Sequence, residues 1–159
     1  MSRQRLTALT VAALAVLLIG TGLWLFLDGS SRRDAQRAGS DAVAAARDSI
    51  VAMGSYRPET VDSDLPAARE RLTGEFLDAY TQLIQTVVIP SAQQKRIASV
   101  VTVPAASVVS AERGRVVVLA FVDQTLTVGT ERPSANPSRY RVTMEKIDGR
   151  WLVAGFDQI

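Results

Sequence analysis

From Leu6 to Leu27 the chain runs 22 residues without a charged side chain, and only beyond it do hydrophobic and polar positions begin to alternate. A helix of that length rises roughly 33 Å, enough to cross a hydrocarbon core of about 30 Å. Arg3 and Arg5 precede the run, Asp28, Arg32 and Arg33 follow it, and Trp24 and Phe26 lie near its end, where aromatic rings suit a membrane interface. The run is longer than the core of a signal peptide, and no small-residue cleavage pattern follows Leu27. The sequence therefore predicts a tail over 1–5, a transmembrane helix over 6–27, a polar linker over 28–33 and one domain over 34–159. Positive charge is balanced across the two flanks. Orientation then rests on the ease of retaining a five-residue tail against a long domain that is translocated largely regardless of charge. This places the N-terminus in the cytoplasm and the domain outside a cell membrane.

Within the domain the first periodicity is helical. Val43, Ala46, Ile50 and Met53 share one stripe of an Ala-rich segment from Asp34 to Met53, with Gly54 as a C-terminal stop. Asp64 is positioned to cap a short helix from Leu65 to Leu72, with Pro66 in its first turn. Thr73 reads as the N-cap of a further helix whose apolar face is Phe76, Tyr80, Leu83, Ile84 and Val87, kinked or ended by Pro90. From about Lys95 the period becomes two. Strands are predicted at Arg96–Val109 with a bulge near Pro104, at Arg115–Val128, at Arg139–Ile147 and at Trp151–Asp157. Asp148-Gly149 is a two-residue hairpin signal, and Thr130 to Ser138 reads as a loop. Helices followed by a run of strands imply an α+β fold: two or three helices packed on a four-stranded antiparallel, cystatin-like curved sheet.

The strand faces carry a further expectation. In the third strand Tyr140, Val142 and Met144 alternate with Arg141, Thr143 and Glu145, as in a sheet wetted on one side. The second strand is apolar on both faces, with Val116, Val118, Ala120 and Val122 on one and Val117, Leu119 and Phe121 on the other. Val117, Leu119 and Phe121 are therefore a candidate partner surface, unless another element of the chain covers them.

Composition removes whole classes of chemistry. The formal charge of +2 is accounted for by Arg3 and Arg5, so the domain is neutral and lacks the basic footprint of a nucleic-acid binder. With no Cys and no His, disulfides, Cys–His zinc sites, thiol nucleophiles and imidazole triads are excluded. No phosphate-cradling glycine motif occurs, and Pro137 spoils a glycosylation sequon at Asn136. No cofactor and no metal are expected. An enzymatic reading would centre on Asp123, an acid in an apolar strand, with Tyr56, Tyr80 or Tyr140 as hydrogen-bond donors; the plainer reading of Asp123 is a solvent-facing strand residue. A lipid-binding reading takes Phe76, Tyr80, Leu83, Tyr140, Trp151 and Asp123 as the lining of a pocket for an apolar ligand. An open cavity favours that reading, and close packing of the same rings into a core removes it.

The Leu72-Thr73-Gly74 opening followed by Phe76 and Tyr80, the Gln93-Gln94-Lys95 junction, and the closing Gly149-Arg150-Trp151-Leu152-Val153 hairpin resemble the Mce-associated membrane proteins, and the likeness covers nearly the whole length. The resemblance implies a single-pass anchor, a cystatin-like or nuclear-transport-factor-2-like outer domain, and an accessory role beside actinobacterial Mce lipid or sterol importers. Its implied partners are Mce subunits or sibling Mce-associated proteins. It supplies no active-site residue. A related architecture serves the inner-membrane assembly subunit of type IV secretion channels, which stands as the alternative.

Overall fold

Small side chains at Ala42, Ala46 and Ser49 with Ile50 give one buried stripe to helix α1, which spans 35–54. The computed structural model describes residues 35–159; the predicted tail, transmembrane run and linker lie outside the described residues. Among the described residues no helix is long and apolar enough to cross a membrane. Helix α1 ends at Gly54, where the sequence suggested a stop, but Gly54 does not adopt the left-handed conformation of a glycine cap. Its role is spatial: a Cβ there would lie 2.6 Å from Cγ2 of Val101.

Helix α2 spans Val61–Ala68 and runs into a 3₁₀ turn at Arg69–Arg71. It starts four residues ahead of the expected Leu65, because the Thr60 carbonyl accepts from the Ser63 and Asp64 amides and the Thr60 hydroxyl is tied to the Asp64 carboxylate. Asp64 is thus inside the helix, and so is Pro66. Thr73 does precede helix α3 (Gly74–Leu83), but its hydroxyl makes no capping bond. Its backbone serves instead: the Thr73 N–H donates to Val153 O at 2.9 Å, and its carbonyl accepts from Leu77.

Pro90 does not end the helix that follows. A π turn at Ile84–Val88 joins α3 to helix α4, Ile89–Lys95, without a break, and Pro90 is carried inside the continuous helix directly after the wider turn. The wider turn also changes the buried face. It recurs at every fourth position, with Tyr80, Ile84 and Ala92 buried and Phe76 and Val88 half-buried, while Leu83 and Val87, expected inside, are 51% and 52% exposed. Arg96 closes α4 in the left-handed region at φ 52°, so the first strand begins one residue later than its sequence suggested.

Four strands follow as an antiparallel meander in the order β1-β2-β3-β4: β1 Ile97–Glu112, β2 Arg115–Val128, β3 Ser134–Ile147 and β4 Arg150–Gln158. The expected bulge falls between Thr102 and Ala105, a second between Val108 and Ser110, and a third in β4 at Ala154. These bend the strands and reset which side chains face inward. Asp148 and Gly149 take φ of 50° and 80°, the left-handed pair that a two-residue hairpin requires. Ser134–Ser138 is strand rather than loop. Pro137 is accommodated there because β4 reaches only to Tyr140, so this part of β3 pairs with β2 alone.

Among the described residues the helices pack on one face of the sheet. Val116, Val118, Ala120, Val142, Met144 and Val153 meet them with no exposed surface. The chain also covers part of each sheet edge. On β1, Tyr56 exchanges two backbone bonds with Ser99, Ser55 Oγ accepts from Val101 N–H, and the Arg47 guanidinium donates to Val103 O. On β4, Leu72 bridges to Val153 and Arg150 donates to Glu70 O. Covered edges are protected from pairing with another chain.

Candidate functional site

Between the helices and the sheet lies a cleft of about 290 Å³, open to solvent. Ile50 and Met53 of α1, Phe76 and Leu83 of α3, and Val101 and Val122 of the sheet supply aliphatic and aromatic wall. The rings of Phe76, Tyr140 and Phe156 form a contiguous aromatic side, with Tyr140 stacked on Phe156 at 4.2 Å and Phe76 at 6.1 Å from Phe156. Its polar end is uncharged. Gln124 comes from β2, Asn136 stands across from it on β3, and Ser138 stands across from Val122.

Three pocket residues expected from the sequence are brought together here: Phe76, Tyr80 and Tyr140, with Leu83 at the same cleft. Tyr80 is committed to structure rather than chemistry. Its hydroxyl donates to Met53 O at 3.1 Å and Leu65 O at 3.3 Å, and burial holds its phenol well above the ordinary pKa of 10.0. Tyr56 is likewise raised by burial, but it sits at the β1 edge away from the cleft.

Two expected lining residues lie elsewhere. Asp123 stands between Val122 and Gln124, which both face the cleft, so alternation sends its carboxylate to the opposite side, among Phe121, Pro137 and Arg139. Asp123 and the three tyrosines are therefore not assembled into one site. Trp151 pairs with Lys146, six residues and roughly 20 Å along β3 from Tyr140. It is a core residue at the far end of the sheet, with Lys146 Nζ 5.6 Å from its ring centroid and its indole N–H without a partner.

Phe156 was missing from the sequence reading because strict alternation from Trp151 and Val153 puts it outside; the bulge at Ala154 turns it inward. Gly155 in a strand interior was the available signal. Gln124 was not named from the sequence either, although it continues the inward alternation of Val118, Ala120 and Val122 on β2.

The second face of β2 is partly open to water. Val117 and Leu119 are half-buried and Phe121 is 42% exposed, all on the helix-free side, where Phe121 pairs across to Arg139 and Leu119 to Arg141. Among the described residues no His, Cys, Asp or Glu cluster has the makings of a metal site.

By architecture this is a helix-backed, four-stranded antiparallel α+β domain similar to several solved domains. A periplasmic fragment of TraM superposes with a TM-score of 0.64 at 14% identity, covering 75% of this chain and 95% of that one. An IcmL-like type IV secretion system protein of Legionella pneumophila gives 0.63 at 8%, covering 74% and 88%. VirB8 of Agrobacterium tumefaciens gives 0.58 at 16%, covering 73% and 88%. At these identities the likeness is one of fold alone. No family model matches the chain. In sequence it is 53% identical over 143 residues to the outer membrane protein Rv1973 of Mycobacterium tuberculosis, spanning 90% of this chain and 89% of that one. It is 38% identical over 165 residues to the uncharacterized protein Rv1362c of the same organism, spanning 99% and 74%. The chain belongs to the family of Rv1973 and Rv1362c.

Proposed function

We propose that this protein is a non-catalytic accessory component of the cell envelope, anchored by the helix over 6–27 with its N-terminus in the cytoplasm, and that it stabilises or assembles an Mce-type lipid importer through its outer domain. The observation that carries the reading is the helix-free side of β2, where three successive outward positions, Val117, Leu119 and Phe121, are apolar and partly open to water. Surface of this kind beside Arg139 and Arg141 has the make-up of a protein contact, with an apolar centre and a charged rim. The family supports an envelope location, since Rv1973 is named an outer membrane protein. The motifs that resemble Mce-associated proteins support the choice of transporter.

The test is crosslinking of the full-length chain in native membranes followed by purification. Mce subunits, crosslinked to peptides of β2 and β3, are the expected partners. Recovery of type IV secretion subunits instead, which the shared fold would accommodate, would replace this reading by that one.

A further inference from the structure

We propose that the cleft between α1, α3 and the sheet binds the hydrocarbon chain of a lipid whose head is uncharged and hydrogen-bonding, such as an alcohol, an ester or an amide. The inference concerns the inner face of the sheet and does not rest on the accessory role assigned to the outer one. Its size sets the first limit. At about 30 Å³ for each water-sized group, 290 Å³ accepts a single chain on the order of ten carbons. The walls set the second. The aromatic side of Phe76, Tyr140 and Phe156 faces aliphatic groups of α1, β1 and β2, and water against such surface is unfavourable relative to a hydrocarbon occupant.

The head follows from the polar end. Among the described residues no charged side chain lines the cleft, so a carboxylate or phosphate drawn inside would lose its water without gaining a counter-charge from them. Gln124 is oriented by a bond from Nε2 to Oγ of Ser99, at 3.0 Å, and Ser99 is itself buried. That leaves the Gln124 carbonyl to accept from a ligand hydroxyl or amide. Asn136, opposite it on β3, and Ser138, opposite Val122, offer donors to an ester or alcohol oxygen. Two residues keep the space free: Ala79 lines the cleft from α3 and is exposed, and Gly54 lines it where α1 meets Val101.

The test uses the full-length chain in lipid nanodiscs and decanol carrying a diazirine on its terminal carbon, with labelled peptides read by mass spectrometry. Labelling is expected on peptides containing Met53, Phe76 and Phe156, displaced by unlabelled decanol and about tenfold more weakly by decyl sulfate. Ala79→Trp should reduce this labelling about tenfold. Leu83→Asp, at an exposed position of the same cleft, gives an independent loss, with thermal unfolding of each variant confirming an intact domain. Labelling confined to residues 6–27, or indifferent to both Ala79→Trp and Leu83→Asp in folded protein, overturns the site. Equal displacement by decyl sulfate overturns the uncharged head.

Discussion

Gly54 and Tyr80 show how single side chains shape the inner face. A methyl group at position 54 would meet Val101 at 2.6 Å, so Gly54→Ala must either push α1 off β1 or distort Val101. Overpacking of this kind costs about 1–3 kcal/mol, and denaturant unfolding should show that loss; an unchanged midpoint would mean that the helix and strand are less closely set. Tyr80 ties α3 to two carbonyls of α1 and α2, and Tyr80→Phe should cost about 1 kcal/mol at neutral pH. The same residue sets a pH dependence. An unfolded tyrosine ionises near pH 10, whereas the buried Tyr80 keeps its proton to higher pH, so above pH 10 the folded state binds more protons and stability falls as pH rises. Unfolding midpoints between about pH 9 and pH 11 should decline less steeply in Tyr80→Phe than in the natural chain. Equal slopes would place the effect elsewhere. At this scale the sequence was readable wherever alternation ran unbroken: Phe76, Tyr80 and Tyr140 meet in the cleft. The role offered to Asp123 went against the parity of its own strand, and that parity was visible beside Val122 and Gln124.

Among the elements, the β3–β4 hairpin was legible because its chemistry is local. Asp148-Gly149 supplies two left-handed residues in a row, and Gly149 at φ 80° is the one that a side chain would strain. Gly149→Ala should destabilise the domain by about 1–2 kcal/mol in equilibrium unfolding, and a neutral result would mean that the turn relaxes to another type. The helical segment from 74 to 95 was less legible, because its period is set by a π turn that no residue type announces. With that turn in place, Pro90 is carried inside the helix and Leu83 rotates to the cleft mouth. The start of α2 was hidden for a similar reason. Thr60 and Asp64 are both good capping residues, and the backbone of Thr60 decides between them. Extension of β3 through Pro137 depends on where β4 stops, which is a tertiary fact.

For the molecule as a whole, the order of helices then strands was enough to foresee an α+β domain with its helices on one face, since an antiparallel sheet must bury one side and may leave the other wet. That division separates two surfaces of different chemistry. The inner side holds an uncharged apolar cleft, and the outer side presents Val117, Leu119 and Phe121 beside two arginines. Because Phe121 lies on the helix-free side, charge there should leave folding intact while altering what the domain can touch. The most direct measurement is therefore co-purification of full-length Phe121→Glu from native membranes, paired with its unfolding curve. The account predicts stability within about 0.5 kcal/mol of the natural chain and loss of the Mce subunits from the purified complex. A folded variant that retains those partners would contradict it.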